Sequence, residues 1–195
     1  MIKLFQNHSK EKLLYATLTI ASIVGFIASF WQMLEKLTML KNASAPLICN
    51  INSVFNCTNI LDAWQSSVFG FPNALMCIIF FMFILTIGIV GWTGGTISKN
   101  VRLIAQGFTL FFIGFGFWYL WQSIFVVGSL CIFCLFCYVA VLAISHAWLR
   151  INQNELPISK SATKIIDNLI KNNSDVIIWL SIALIITFEI IIKFV

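Results

Sequence analysis

Charge is scarce in this chain. Of its 195 residues only 10% are Asp, Glu, Lys or Arg while 60% are hydrophobic, so it cannot present an ordinary water-facing surface and reads as an integral membrane protein. The twelve basic residues outnumber the seven acidic ones, for a net charge of +5. They cluster between apolar runs, which argues for membrane topology and against a nucleic-acid partner. Also missing are a haem-like ligand set, a glycine-rich dinucleotide fingerprint and an NAD-binding domain. What the chain does have is six cysteines, nineteen Phe and seven Trp. The aromatic residues suit lipid-facing and interfacial positions, and the cysteines form disulfides if they face an oxidising compartment.

The apolar runs predict five membrane spans. After a polar lead with Lys3, Lys10 and Lys12, residues 13–34 carry no charge for 22 positions, right for a spanning helix and too long for a secretory signal. A mixed loop follows, with Cys49 and Cys57 and irregular Asn- and Ser-rich stretches. Its 58–64 piece reads either as a short interfacial helix anchored by Trp64 or as an ordinary loop. A second span over 69–92 places Pro72 in its first turns. Between Arg102 and Arg150 lie 47 uncharged residues, which as one helix would reach about 70 Å, so they form a hairpin of two spans, 103–126 and 130–149, turning near Val127-Gly128-Ser129. A polar linker, 151–175, leads to a fifth span, 176–195, whose Glu189 and Lys193 can pair at i and i+4. The expected fold is thus an all-α membrane protein, a four-helix bundle over 1–150 with an added fifth transmembrane helix.

Basic residues orient the spans. With the N-terminus inside, nine fall on the cytoplasmic side (Lys3, Lys10, Lys12, Lys99, Arg102, Arg150, Lys160, Lys164, Lys171) and three outside (Lys36, Lys41, Lys193). Cys49 and Cys57 then face the same outer compartment as the start of the fourth span, where Cys131-Ile132-Phe133-Cys134 lies. Two thiols at i and i+3 share a helix face and can close into a disulfide. With Gly128-Ser129 as turn and N-cap, Cys131 falls in the first helical turn, where the helix dipole favours a thiolate.

Two disulfides within reach of each other make a two-electron relay. A flexible loop pair can meet a partner and then pass electrons to a helix-fixed pair, and a lipid-soluble quinone held among the helices is the natural sink. Plainer readings stand beside this. Cys49 and Cys57 suit a static brace, and Cys77 and Cys137 suit buried packing. His146 suits a cation complementing the end of its helix. Tyr138, on the Cys134 face, suits either a quinone carbonyl or an interhelical hydrogen bond. The eight-residue loop spacing is unlike a zinc knuckle, so no metal is assigned.

Taken together, Cys49, Cys57, Ser67-Val68-Phe69-Gly70-Phe71-Pro72, Cys131-Ile132-Phe133-Cys134 and Tyr138 resemble the vitamin K epoxide reductase family, in its bacterial disulfide-forming branch. The resemblance covers roughly residues 13–150. It implies a four-helix bundle around a quinone (ubiquinone or menaquinone), Cys131 and Cys134 as the quinone-side pair, and Cys49 and Cys57 as the shuttle pair. Cys134 would face the quinone and Cys131 exchange with the loop. The family's Ser or Thr six residues after the second loop cysteine is replaced here by Ala63. Ser66 or Ser67 stands in as an alternative donor, and Ser66, Phe69 and Tyr138 are the candidate quinone contacts. Many relatives carry a fused thioredoxin-like domain, and this chain stops at Val195, so a thioredoxin-like (DsbA-like) partner is expected as a separate protein.

The expected function is thiol-disulfide oxidation at the outer face of a bacterial inner (plasma) membrane. The same chemistry occurs in DsbB-type oxidases, but there the helix-borne pair precedes the loop pair. The alternative from a different class is a non-catalytic membrane protein with a disulfide-braced outer loop.

Overall fold

The computed structural model describes residues 2–194, with side chains from residue 11 onward. In chain order it comprises α1 (Ile2–Lys41), α2 (Cys57–Asp62), a 3-10 turn (Trp64–Ser67), α3 (Asn73–Trp92), α4 (Lys99–Gln122) running into a π turn (Ser123–Val127), α5 (Ile132–Asn152), α6 (Lys160–Lys171) and α7 (Ser174–Phe194). Among the described residues α1, α3, α4, α5 and α7 are long and apolar enough to cross a membrane. The protein is an all-α, multi-pass membrane protein.

α1 is the central helix because one of its faces is built for close packing. Leu18, Ser22, Gly25, Ser29, Gln32 and Lys36 recur every three or four residues and are buried, while Ile20, Val24, Ile27 and Leu34 on the other side are exposed for lipid. Lipid removes the hydrophobic drive between helices, so small residues that let backbones approach do the packing. A Cβ on Gly25 would come within 2.2 Å of the Phe81 ring, and one on Gly88 within 3.0 Å of the Thr19 backbone N. α1 therefore lies against both α3 and α5, and α4 lies against α5. α3 and α4 scarcely touch along their backbones and meet through side chains instead. Phe80 stacks on Phe112 at 4.2 Å and Phe83 meets Phe108 edge-on at 6.4 Å.

Several boundaries differ from the sequence expectation. Residues 13–34 are the middle of a helix that continues to Lys41, because Glu35 and Lys36 find buried partners and do not end it. α3 begins at Asn73, not Phe69; Pro72 is its N-cap residue and disfavours helical geometry at Phe71 before it. The 151–175 linker contains α6, capped by Ser159 Oγ accepting from the Ala162 N–H at 3.3 Å.

α7 lies almost wholly outside the bundle. Its tie is Asp175, buried in its first turn, whose two oxygens lie 2.6 and 2.8 Å from Arg150 Nε and Nη2 of α5. His146 Nδ1 stands 3.5 Å from the same carboxylate, so it faces α7 instead of complementing the end of its own helix. Among the described residues no ion pair joins Glu189 to Lys193; Lys193 Nζ lies 5.9 Å over the Phe125 ring. At the Arg150–Asp175 end of the bundle Arg102 pairs with Glu155, and Asn152 donates to Gln106 at 2.8 Å.

Candidate functional site

The C-terminal end of α1 holds down the segment that follows it. Gln32, Glu35 and Lys36 lie on one face, at i, i+3 and i+4, and all three are buried. Glu35 Oε1 accepts from the Ile48 N–H at 3.3 Å. Lys36 Nζ donates to the Leu61 carbonyl and, at 3.4 Å, to Ser66 Oγ. A buried ammonium is tolerated when its hydrogens are taken, and here they fix the end of α2. Gln32 Nε2 reaches the other way and donates to Cys134 Sγ at 3.1 Å.

Asparagines organise the 42–72 segment. Asn52 Oδ1 accepts from the Val54 and Phe55 N–H groups, Asn50 pairs with Thr58 in both directions, and Asn56 caps α2 by accepting from the Asn59 N–H. Asn59 Nδ2 then donates to Ser129 Oγ at 3.0 Å, and the Leu130 N–H to the Val54 carbonyl at 2.7 Å, with Phe55 and Leu130 in an isolated β-bridge. The segment is thereby docked on the turn before α5.

This docking brings the two cysteine pairs together. Cys49 and Cys57 are joined as a disulfide, Cys131 and Cys134 are free, and Cys57 Sγ lies 3.8 Å from Cys131 Sγ. Cys49, Cys57 and Cys131 are each at most 2% exposed, packed with Leu47, Ile60 and Leu61. The loop pair is thus sequestered, where the sequence suggested flexibility. α2 turns its apolar residues Ile60 and Leu61 onto this cluster; Trp64, beyond it, is exposed.

Cys131 is not in the first turn of α5. It is the N-cap residue itself, with φ −103° and ψ 115°, and Ser129 lies outside the helix. Two constraints explain this: Leu130 is held extended by its bridge to Phe55, and Gly128, at φ +69°, closes the π turn in a left-handed conformation. Helical geometry starts only at Ile132. A hydrogen bond from the Cys134 thiol, with help from the N–H groups of Cys134 and Phe133, holds the Cys131 thiol below its ordinary range although burial opposes this.

On the other side of Cys134 opens a narrow, mainly apolar cleft of about 70 Å³ between the four helices. Its walls include Gln32, Cys134, Tyr138, Tyr119, Phe81 and Phe112. Tyr138 lines it, with its ring edge-on to Phe117 at 5.3 Å and its buried hydroxyl without a hydrogen-bond partner among the described residues. Among the described residues it therefore makes no interhelical hydrogen bond. Cys137 packs in the core with Sγ 3.7 Å from the Gly25 carbonyl, and both it and Cys77 also border the cleft.

Ser66 and Phe69 do not line this cleft. Ser66 donates to the Leu61 carbonyl at 2.7 Å beside Lys36, and Phe69 stands behind Phe115, ring centroids 5.7 Å apart, with Phe115 as the cleft wall. Gln32, Asn73 and Tyr119 were not foreseen. Gln32 and Asn73 had a signal: a polar residue inside an expected apolar span asks for a buried partner.

Two cysteine pairs in contact at the mouth of an apolar cleft define a membrane redox protein. The chain matches the vitamin K epoxide reductase family over residues 16–148 and belongs to it, which makes it an oxidoreductase. No individual curated protein matches it.

Proposed function

We propose that this chain oxidises the dithiol of a thioredoxin-like (DsbA-like) protein at the outer face of a bacterial inner membrane and passes the electrons to a membrane quinone. The observation that carries the reading is the 3.8 Å approach of Cys57 to Cys131, with Cys131 and Cys134 both bordering the cleft. The nine-to-three basic count supports the outer placement.

The steps balance. A partner dithiol reduces the Cys49–Cys57 disulfide and leaves as a disulfide. The Cys57 thiolate attacks Cys131 of an oxidised Cys131–Cys134 pair, forming Cys57–Cys131 and releasing Cys134. Cys49 then attacks Cys57, re-forms the loop disulfide and expels Cys131, which leaves readily because its pKa is lowered. The result, loop disulfide with helical dithiol, is the arrangement of sulfurs described above.

The cleft suits a quinone head: apolar and aromatic walls, with the unpartnered Tyr138 hydroxyl to donate to a carbonyl. Bound there, a quinone supplies the two-electron, two-proton sink that restores the Cys131–Cys134 disulfide. Gln32 orients Cys134, and the packed 42–72 segment keeps water from the sulfurs.

The test is absorbance-monitored quinone reduction by the protein in proteoliposomes, with a reduced thioredoxin-like protein as donor. Turnover that disappears when any one of Cys49, Cys57, Cys131 or Cys134 becomes Ala is expected. A loop disulfide that persists through donor and quinone with no turnover would leave it a structural brace.

A further inference from the structure

α6 has two sharply separated faces. At 100° per residue, Lys160, Lys164 and Lys171 fall within an arc of about 40°, while Ala162, Ile165, Ile166, Leu169 and Ile170 occupy the opposite side. The protein covers that apolar side only in part: no residue of α6 is buried, Ile165 is 61% exposed, and Ala162, Ile166, Leu169 and Ile170 keep a smaller part of their surface open. Short connectors tie α6 on both sides to spanning helices, residues 153–159 after α5 and Asn172-Asn173 before α7. Two residues reach about 7 Å, so the C-terminal end of α6 cannot leave the level at which α7 enters the bilayer.

We propose that α6 is an interfacial helix that docks on an anionic phospholipid leaflet, its isoleucines and leucine among the acyl chains and its lysines against the headgroup phosphates. The bilayer edge is the one apolar surface the connectors place beside it. Three lysines match a negative leaflet, and Asp167, on the polar side with them, is the lone acidic residue of the helix. The helix thus senses lipid charge at the end of the molecule opposite the cysteines.

Hydrogen–deuterium exchange of the full chain tests this, in nanodiscs of phosphatidylcholine alone and of phosphatidylcholine with phosphatidylglycerol. Amides of residues 162–171 are expected to exchange at least about tenfold more slowly in the anionic discs, given a contribution of about fivefold per lysine. Replacing Lys160, Lys164 and Lys171 together by Gln should remove the difference and leave exchange in α3 and α5 unchanged. Equal exchange in both discs overturns the proposal. So does slowing that persists in the triple variant, or that appears only when a cytosolic protein is added, which would make α6 a protein-docking helix.

Discussion

At the scale of single residues, the sulfurs behave as a set ordered by position. On the proposed function Cys57, 3.8 Å from Cys131, is the loop member that exchanges. In Cys134→Ala the Cys131 thiolate can open the loop disulfide at Cys57, with Cys49 as leaving group, and no Cys134 thiol is left to break the new bond from the helix side, so a Cys57–Cys131 disulfide should accumulate. Proteolysis between α3 and α5 with non-reducing electrophoresis should show the two fragments held together; fragments that separate here but remain linked in Cys131→Ala would reverse the roles of the helical cysteines. Cys77→Ala and Cys137→Ala should keep most turnover, since neither is placed between the two pairs. The Tyr138 hydroxyl offers a separate test. It has no protein partner to lose, so Tyr138→Phe should leave thermal stability unchanged while raising the KM for quinone about tenfold, the effect of one hydrogen bond. An unchanged KM with a lowered melting temperature would make the hydroxyl structural.

Elements set how the sulfurs meet and when they part. Because Cys49 and Cys57 are fully covered, the proposed partner oxidation would require the 42–72 segment to lift, and Lys36 is a charged fastening of it. Lys36→Met should speed alkylation of the reduced loop thiols about tenfold, as expected for loss of a hydrogen bond from a charged donor, and slow loop-to-helix transfer. Unaltered alkylation would place the fastening elsewhere. Gly116 gives a second lever: a Cβ there would lie 2.7 Å from the Tyr138 ring. Gly116→Ala should push that ring into the cleft and cut quinone reduction while partner-to-loop exchange, measured by gel shift, continues.

How much of this was legible in the sequence follows from how local each feature is. The five apolar runs, the turn at Gly128 and the Cys-x-x-Cys spacing are short-range patterns, readable without a fold. Contact between Cys57 and Cys131 spans 74 positions and depends on Asn59 finding Ser129 and on Leu130 pairing with Phe55, which no periodicity announces. The end of α1 was misread for the same reason: Glu35 and Lys36 look like the close of a span until their distant partners are known. Ser66 and Phe69 were close to the site in sequence, but Lys36 claims one and Phe115 screens the other.

At the scale of the whole molecule, α7 hangs on the bundle by one buried carboxylate. Removing only Arg150, as Arg150→Gln, strands Asp175 and should cost on the order of 3–5 kcal/mol of α7 docking, whereas Arg150→Met with Asp175→Leu should recover much of it. Protease sensitivity of the α6–α7 region reads the docking, and turnover should change little in either variant because α7 does not border the cleft. Equal protease resistance of the single variant and the parent would show that lipid, and not the ion pair, holds α7.

The seam between α3 and α4 carries a different consequence. Its outer side is an apolar groove of about 740 Å³, and Phe112 lines both that groove and the cleft beside Cys134. On the proposed function, the electron acceptor arrives sideways through this seam by diffusion in the plane of the bilayer. Its effective concentration is then its mole fraction among lipids and detergent, not its amount per volume of buffer. Adding empty micelles at fixed total quinone should slow turnover in proportion to the dilution of the amphiphile phase, while adding buffer should leave the rate per enzyme unchanged.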